Sequence, residues 1–258
     1  MKERYLLMAV NPELEFKLKS LATYDGMRLD EYSFVYMENY KGEQQEYKLD
    51  VIAPLEKSEA PCPVVIFVHG GGFTQPCDKR QAYIPMFAHH LTKAGYVVIS
   101  PDYPIFDDPE QRAAYAGADR GAARAAEAVH MAYLYIQQNA DALHLDTDRI
   151  ALFGGSAGGM TGFYMLEHYS DKIRMFGNCW GAPRGYMPDV TKFPPTLSIH
   201  GTADQAVPYE LEAPIQAAFE AAGVDHELIT LEGAPHTPLM HLDDFIPTVL
   251  AWLEKTMK

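Results

Sequence analysis

Two kinds of hydrophobic patterning divide the chain. Over residues 31–37 and again over 46–52, apolar and polar residues alternate, with aromatic and β-branched side chains on the apolar beat. Alternation with a period of two predicts half-buried strands, and two in succession predict an antiparallel pair. After a proline-bounded loop at 54–63 the pattern changes. Short runs rich in apolar residues at 64–68, 96–100, 149–153, 174–178 and 196–200 read as strands covered on both faces, and 226–231 reads as one more. Helical segments fill the gaps, at 79–94, 119–139, 157–169 and 209–222, with a closing helix at 241–258.

Strand–helix alternation on this scale predicts an α/β fold: a mostly parallel central sheet with helices on both faces, preceded by antiparallel strands. The whole of 1–258 is expected to form a single domain, with 1–30 as an N-terminal extension. In such sheets ligands bind beyond the carboxyl ends of the strands. The motifs with chemical potential in this sequence all follow directly on a strand.

Gly154-Gly155-Ser156-Ala157-Gly158 lies between the 149–153 strand and a helix, and fits G-x-S-x-G. A sharp strand-to-helix turn exposes the serine hydroxyl at the sheet edge, and glycines two residues to either side relieve the crowding of that turn. The Lys-Ser/Thr that would complete a phosphate-binding loop is missing. Ser156 is therefore the candidate nucleophile. His69-Gly70-Gly71-Gly72-Phe73 follows the 64–68 strand, and its glycines let main-chain N–H groups approach a developing oxyanion. Gly71 and Gly72 are the expected donors, together with Ala157.

A serine hydroxyl is a poor nucleophile at neutral pH and needs a base that an acid orients. His200-Gly201-Thr202-Ala203-Asp204 and Gly233-Ala234-Pro235-His236 both follow strands, so Asp204 and His236 should face the same sheet edge as Ser156. The order Ser, Asp, His along the chain is that of α/β-hydrolases. Of the rival acids, Asp225 begins a strand and belongs at the opposite edge, and Glu232 shares the histidine's own segment.

Together HGGGF, GGSAGG, HGTAD and GAPH resemble the carboxylesterase/lipase group of the α/β-hydrolase superfamily, over about residues 46 to 257. The chain looks most similar to its small lidless members, acetylxylan-esterase-like and feruloyl-esterase-like proteins. Gly155 stands where hormone-sensitive-lipase-like members commonly carry an acidic residue, which leans toward the carbohydrate-esterase-like branch. The resemblance implies a serine esterase acting through an acyl-enzyme, with the triad Ser156, Asp204 and His236 and with no cofactor or metal. Its ester substrate would be a small molecule or an oligosaccharide.

Only 47 residues separate Ser156 from Asp204, too few for an inserted cap domain. A shallowly covered site is expected, with 180–194 as a short flap, Phe73 and Tyr103 as walls of the acyl pocket, and Trp180 either against the substrate from that flap or packed in the core. That geometry suits a short acyl group on a larger alcohol. A peptidase of the dipeptidyl-peptidase-like type is the first alternative, and a noncatalytic receptor on the same scaffold the second.

Composition narrows the setting. The formal net charge of −14 argues against a nucleic-acid partner. No apolar run is long enough to span a bilayer, and the apolar stretch at 5–10 is too short for a signal-peptide core. Three dispersed cysteines, Cys62, Cys77 and Cys179, argue against a disulfide framework and for a cytoplasmic location.

Overall fold

The alternating segments near the N-terminus pair as antiparallel strands, and the apolar runs that follow pair in parallel. A computed structural model describes residues 19–20, 30–38, 40, 45–56, 58–74, 77–106, 118–169 and 171–258. The strands are β1 (Lys19–Ser20), β2 (Asp30–Glu38), β3 (Glu46–Ala53), β4 (Cys62–Val68), β5 (Val97–Pro101), β6 (Leu145–Gly155), β7 (Met175–Cys179), β8 (Thr196–Gly201) and β9 (His226–Leu231). They form one nine-stranded sheet in the order β1-β2-β3-β5-β4-β6-β7-β8-β9. From β1 to β5 neighbours run antiparallel, and from β5 through β4 to β9 they run parallel. Apart from Lys19, Ser20 and Asp30, the expected N-terminal extension lies outside the described residues.

Successive side chains of a strand point to opposite faces, and this splits the apolar runs between two cores. Val64, Ile66 and Val68 of β4 join one cluster, while Val65 and Phe67 join the other. The first face is covered by α2 (Ala118–Gln138), α3 (Ala157–His168) and α4 (Glu212–Ala222), the second by α1 (Tyr83–Lys93) and α5 (Leu242–Thr256). The five residues 64–68 have no accessible surface, and burying side chains of this size stabilises by about 1.5–3 kcal/mol each. This two-sided burial explains why the parallel strands read as unbroken apolar runs.

Element ends differ from the sequence expectation where polar residues intervene. β6 starts at Leu145 rather than 149, and its pairing with β4 shifts register between Pro63 and Val64, which accommodates the polar residues before Ile150. α1 starts at Tyr83 rather than 79, because Lys79 and Arg80 are drawn off to pair with Asp102 and Asp50. No helix among the described residues is long and apolar enough to cross a membrane.

Candidate active site

β6, β8 and β9 end side by side with β4 and β7, and the loops leaving their carboxyl ends meet at one rim. Ser156 leaves β6 with φ 56° and ψ −118°, a conformation that non-glycine residues rarely adopt. The turn is tight. A Cβ on Gly154 would lie 2.2 Å from the Gly158 carbonyl oxygen, so the flanking glycines have a direct steric reason. The Ser156 N–H donates to the Cys179 carbonyl at 2.9 Å, which fastens the turn to the end of β7.

His236 Nε2 lies 2.9 Å from Ser156 Oγ, and its Nδ1 lies 2.7 Å from Asp204 Oδ2. With Nδ1–H donating to the carboxylate, Nε2 keeps its lone pair and accepts the serine hydroxyl. Asp204 Oδ1 accepts the N–H groups of Ala206 and Val207 at 2.8 and 2.9 Å, and Oδ2 is also 3.1 Å from His200 Nε2. Burial alone would raise the Asp204 pKa. The hydrogen bonds from His236, Val207 and Ala206 outweigh it and hold the carboxyl below its usual range. Asp225 pairs with Lys255 at 2.6 Å at the other end of the sheet, and Glu232 accepts from Thr202 at 3.3 Å.

The glycine loop after β4 is folded for close approach. Gly71 (φ 103°), Gly72 (φ 62°) and Phe73 (φ 63°) are all left-handed. Gly70 N–H is committed to Gln81 Oε1 at 2.9 Å and to Tyr83 Oη at 2.6 Å. Among the described residues the N–H groups of Gly71 and Gly72 have no acceptor. Ala157 opens α3, so its N–H has no partner within the helix. His69 braces this loop. It donates from Nδ1 to the Gly70 carbonyl at 2.9 Å and stacks on Tyr103 at 4.0 Å. Burial lowers its pKa to about 4, so the ring is neutral.

A cavity of about 540 Å³ opens over Ser156 and His236. Gly70, Gly71 and Gly72 form one wall, Ala157 and Met160 the floor, and Tyr83, Val207, Leu239 and Arg184 much of the remainder. Phe73 and Tyr103, the expected walls of an acyl pocket, and Trp180 are absent from this lining and lie in the core. Trp180 has no accessible surface and meets Tyr83 edge-on at 5.5 Å. Tyr103 is buried, with its hydroxyl donating to the carbonyls of His69 and Gly70 at 2.9 and 3.1 Å. Phe73 turns inward against Gly121, where a Cβ would come within 2.5 Å of its ring. Within the expected flap, residues 180–183 are buried and Arg184, exposed, is in the cavity lining. No local motif marks Tyr83, Met160 or Leu239, which sit at helix starts and faces whose direction only the packing decides.

A family model described as BD-FAE matches residues 49–176, which takes in the HGGGF and GGSAGG loops and stops short of Asp204 and His236. No curated protein matches the sequence. Among solved structures, Thermogutta terrifontis esterase 2 phosphoramylated by tabun is similar, with a TM-score of 0.65 and 20% identity over 85% of this chain and 94% of that one. A truncated carbohydrate esterase from gut microbiota is similar with a TM-score of 0.67 and 18% identity over 87% and 96% of the two chains. MGS-M1, an alpha/beta hydrolase enzyme from a Medee basin deep-sea metagenome library, gives a TM-score of 0.67 and 19% identity over 82% and 93%. The chain has the α/β-hydrolase fold.

Proposed function

We propose that the protein is a serine hydrolase that cleaves carboxylic esters through an acyl-enzyme. The observation that carries this reading is the unbroken hydrogen-bonded row from Ser156 Oγ through His236 to Asp204, 2.9 and 2.7 Å long at its two links, on the wall of a cavity. Ser156 Oγ attacks the ester carbonyl carbon as His236 Nε2 takes its proton. The carbonyl oxygen becomes an oxyanion and accepts the N–H groups of Gly71, Gly72 and Ala157. Collapse breaks the ester C–O bond, and the imidazolium returns its proton to the leaving alcohol oxygen. Water repeats the sequence on the acyl-enzyme, with His236 as base, and releases the acid and free serine.

The preferred substrates in this reading are short-acyl esters of larger alcohols, acylated carbohydrates among them. The described residues between β6 and β8 comprise one helix, one strand and loops, with no inserted domain to enclose a long chain. The carbohydrate esterase among the similar structures lends the same direction. The esterases and the hydrolase among the similar structures favour ester over peptide bonds. The free thiols of Cys62, Cys77 and Cys179 agree with a cytoplasmic setting.

The test is a panel of aryl esters from acetate to decanoate, beside acetylated sugars and a peptide amide, with a fluorophosphonate label to mark the nucleophile. Turnover of the acetates and acetylated sugars, with labelling lost in Ser156→Ala, is expected. Labelling that survives Ser156→Ala, or turnover confined to the peptide amide, overturns the proposal.

A further inference from the structure

Asp204 is held from two sides. His236 reaches Oδ2 from the cavity at 2.7 Å, and His200 Nε2 reaches the same oxygen from the interior at 3.1 Å. His200 is the penultimate residue of β8 and has no accessible surface. Both of its ring nitrogens face acceptors. Nε2 also lies 2.9 Å from the Val207 carbonyl, and Nδ1 lies 2.8 Å from Glu212 Oε1. A neutral imidazole carries one N–H and one lone pair, and would set that lone pair against an oxygen. A doubly protonated ring donates at both ends.

Glu212, the first residue of α4, is 1% exposed and closes the row. Its carboxylate also accepts from Gln216 Nε2 at 2.9 Å and, more loosely, from Asn178 Nδ2 at 3.4 Å. Burial disfavours a charged His200. The hydrogen bond and charge of Glu212, the Val207 carbonyl and the charge of Asp204 outweigh burial and raise its pKa. Tyr209, also titratable, meets His200 edge-on at 5.8 Å.

We propose that His200 is a buried imidazolium, held by Glu212, that positions Asp204 and tempers the basicity of His236 from behind. This rests on the triad reading above. Charges alternate inward from the cavity as Asp204 negative, His200 positive and Glu212 negative. When His236 takes the serine proton the row becomes neutral as a whole. Without the cation, Asp204 would give its whole charge to His236. That imidazole would then hold its proton to higher pH and return it less readily to the leaving group. His200 and Glu212 touch no reacting atom; they are positioning residues.

His200→Gln alone keeps a donor toward Asp204 but leaves Glu212 buried without its counter-charge, so it is expected to be unstable. The informative variant is His200→Gln with Glu212→Gln, which removes both charges together. Arg184 on the cavity rim and Glu232 beside Thr202, charged side chains of neighbouring loops, stay unchanged. The double variant should melt closer to the wild type than the single one. Its acid limb of kcat/KM on an aryl acetate should move up by about half a pH unit or more, with kcat falling several-fold and KM nearly constant. A folded double variant whose acid limb coincides with the wild type's overturns the proposal, because a merely structural role would leave the limb in place.

Imidazole nitrogen NMR on the intact wild type gives a second reading that needs no variant to fold. At about pH 8 both His200 ring nitrogens should be protonated. One protonated and one bare nitrogen would refute the charge. Failure of the triad reading shows separately, as a His236→Ala variant that keeps wild-type turnover.

Discussion

The α-carbon of Gly158 rests against the carbonyl of Val68: a Cβ added at Gly158 would lie 2.1 Å from the Val68 oxygen. This contact ties the first turn of α3 to the end of β4, where the glycine loop begins. The turn that carries Ser156 and the glycine loop at 70–72 are therefore one packed unit. Gly158→Ala should push α3 away from β4 and displace Ser156 from His236. A stability loss of about 1–3 kcal/mol is the expected size for overpacking of this kind. Activity should fall further than stability does at a temperature where the variant is fully folded. Denaturant melts beside ester turnover measure both. Wild-type turnover in a folded Gly158→Ala would mean that the two loops are not coupled.

The two loop glycines separate crowding from backbone conformation. At Gly71 a Cβ would come within 1.9 Å of Cys77 Sγ, while at Gly72 it would meet nothing within 4 Å. Both have positive φ, so each alanine carries a left-handed strain of about 1–2 kcal/mol. Gly71→Ala is expected to cost more activity than Gly72→Ala. The added Cβ would also lie 2.3 Å from Cys77 Cβ, so it is Cys77→Gly, added to Gly71→Ala, that should recover part of the loss. Equal losses in all three variants would show that the Cys77 side chain does not set the loop's position.

Much of the fold was legible because burial on both faces writes itself as continuous apolar runs, as at 64–68, and burial on one face as alternation, as over Glu46–Leu49 at the start of β3; from Asp50 to Ile52 β3 is buried on both faces, with Val51 and Ile52 in different cores. The candidate triad was legible because tight strand-end turns demand glycine, and glycine marks the loop wherever it lies in the chain. The cavity walls were not. Phe73 follows Gly72 directly and Trp180 lies four residues before Arg184, yet both residues, at φ of 63° and 45°, have their side chains in the core. Adjacency along the chain carries no direction. In the sequence pattern His200 is simply the end of a strand. Its meaning lies in Glu212, twelve residues on and in another element, and pairing across elements leaves no mark on local sequence.

The depressed Asp204 carboxyl makes stability depend on pH. A group whose pKa is lower in the folded than in the unfolded chain contributes stability above its unfolded value, about 3.9 for aspartate. That contribution disappears as pH falls through the folded value. Asp204→Asn removes the group, so the wild type should exceed the variant in stability by a constant amount at neutral pH. The gap should narrow progressively below about pH 4. Activity at neutral pH should drop by about 10⁴-fold, the size seen when a triad acid becomes an amide in the serine protease template. Urea melts between neutral and acid pH provide the check. A gap that stays constant down to the acid end would mean that Asp204 is not held as a carboxylate.

Trp180 and Met160 should separate core from cavity. Trp180 is fully buried between Tyr83 and Phe87, and its indole N–H has no acceptor among the described residues. Trp180→Ala empties a large volume and should destabilise by about 3–5 kcal/mol while leaving the ratio of acetate to longer-ester turnover unchanged. Trp180→Phe should cost less, since no hydrogen bond is lost. Met160 lies on the first turns of α3 and lines the cavity beside Ser156. Met160→Phe should alter the ratio of acetate to longer-ester kcat/KM, by an amount on the order of tenfold, because bulk added there takes space from the ester. The comparison is made with chain-length profiles of the purified variants at a temperature where each is folded. A shifted profile in Trp180→Ala with an unchanged one in Met160→Phe would return Trp180 to the acyl pocket and displace the cavity as the place where the ester sits.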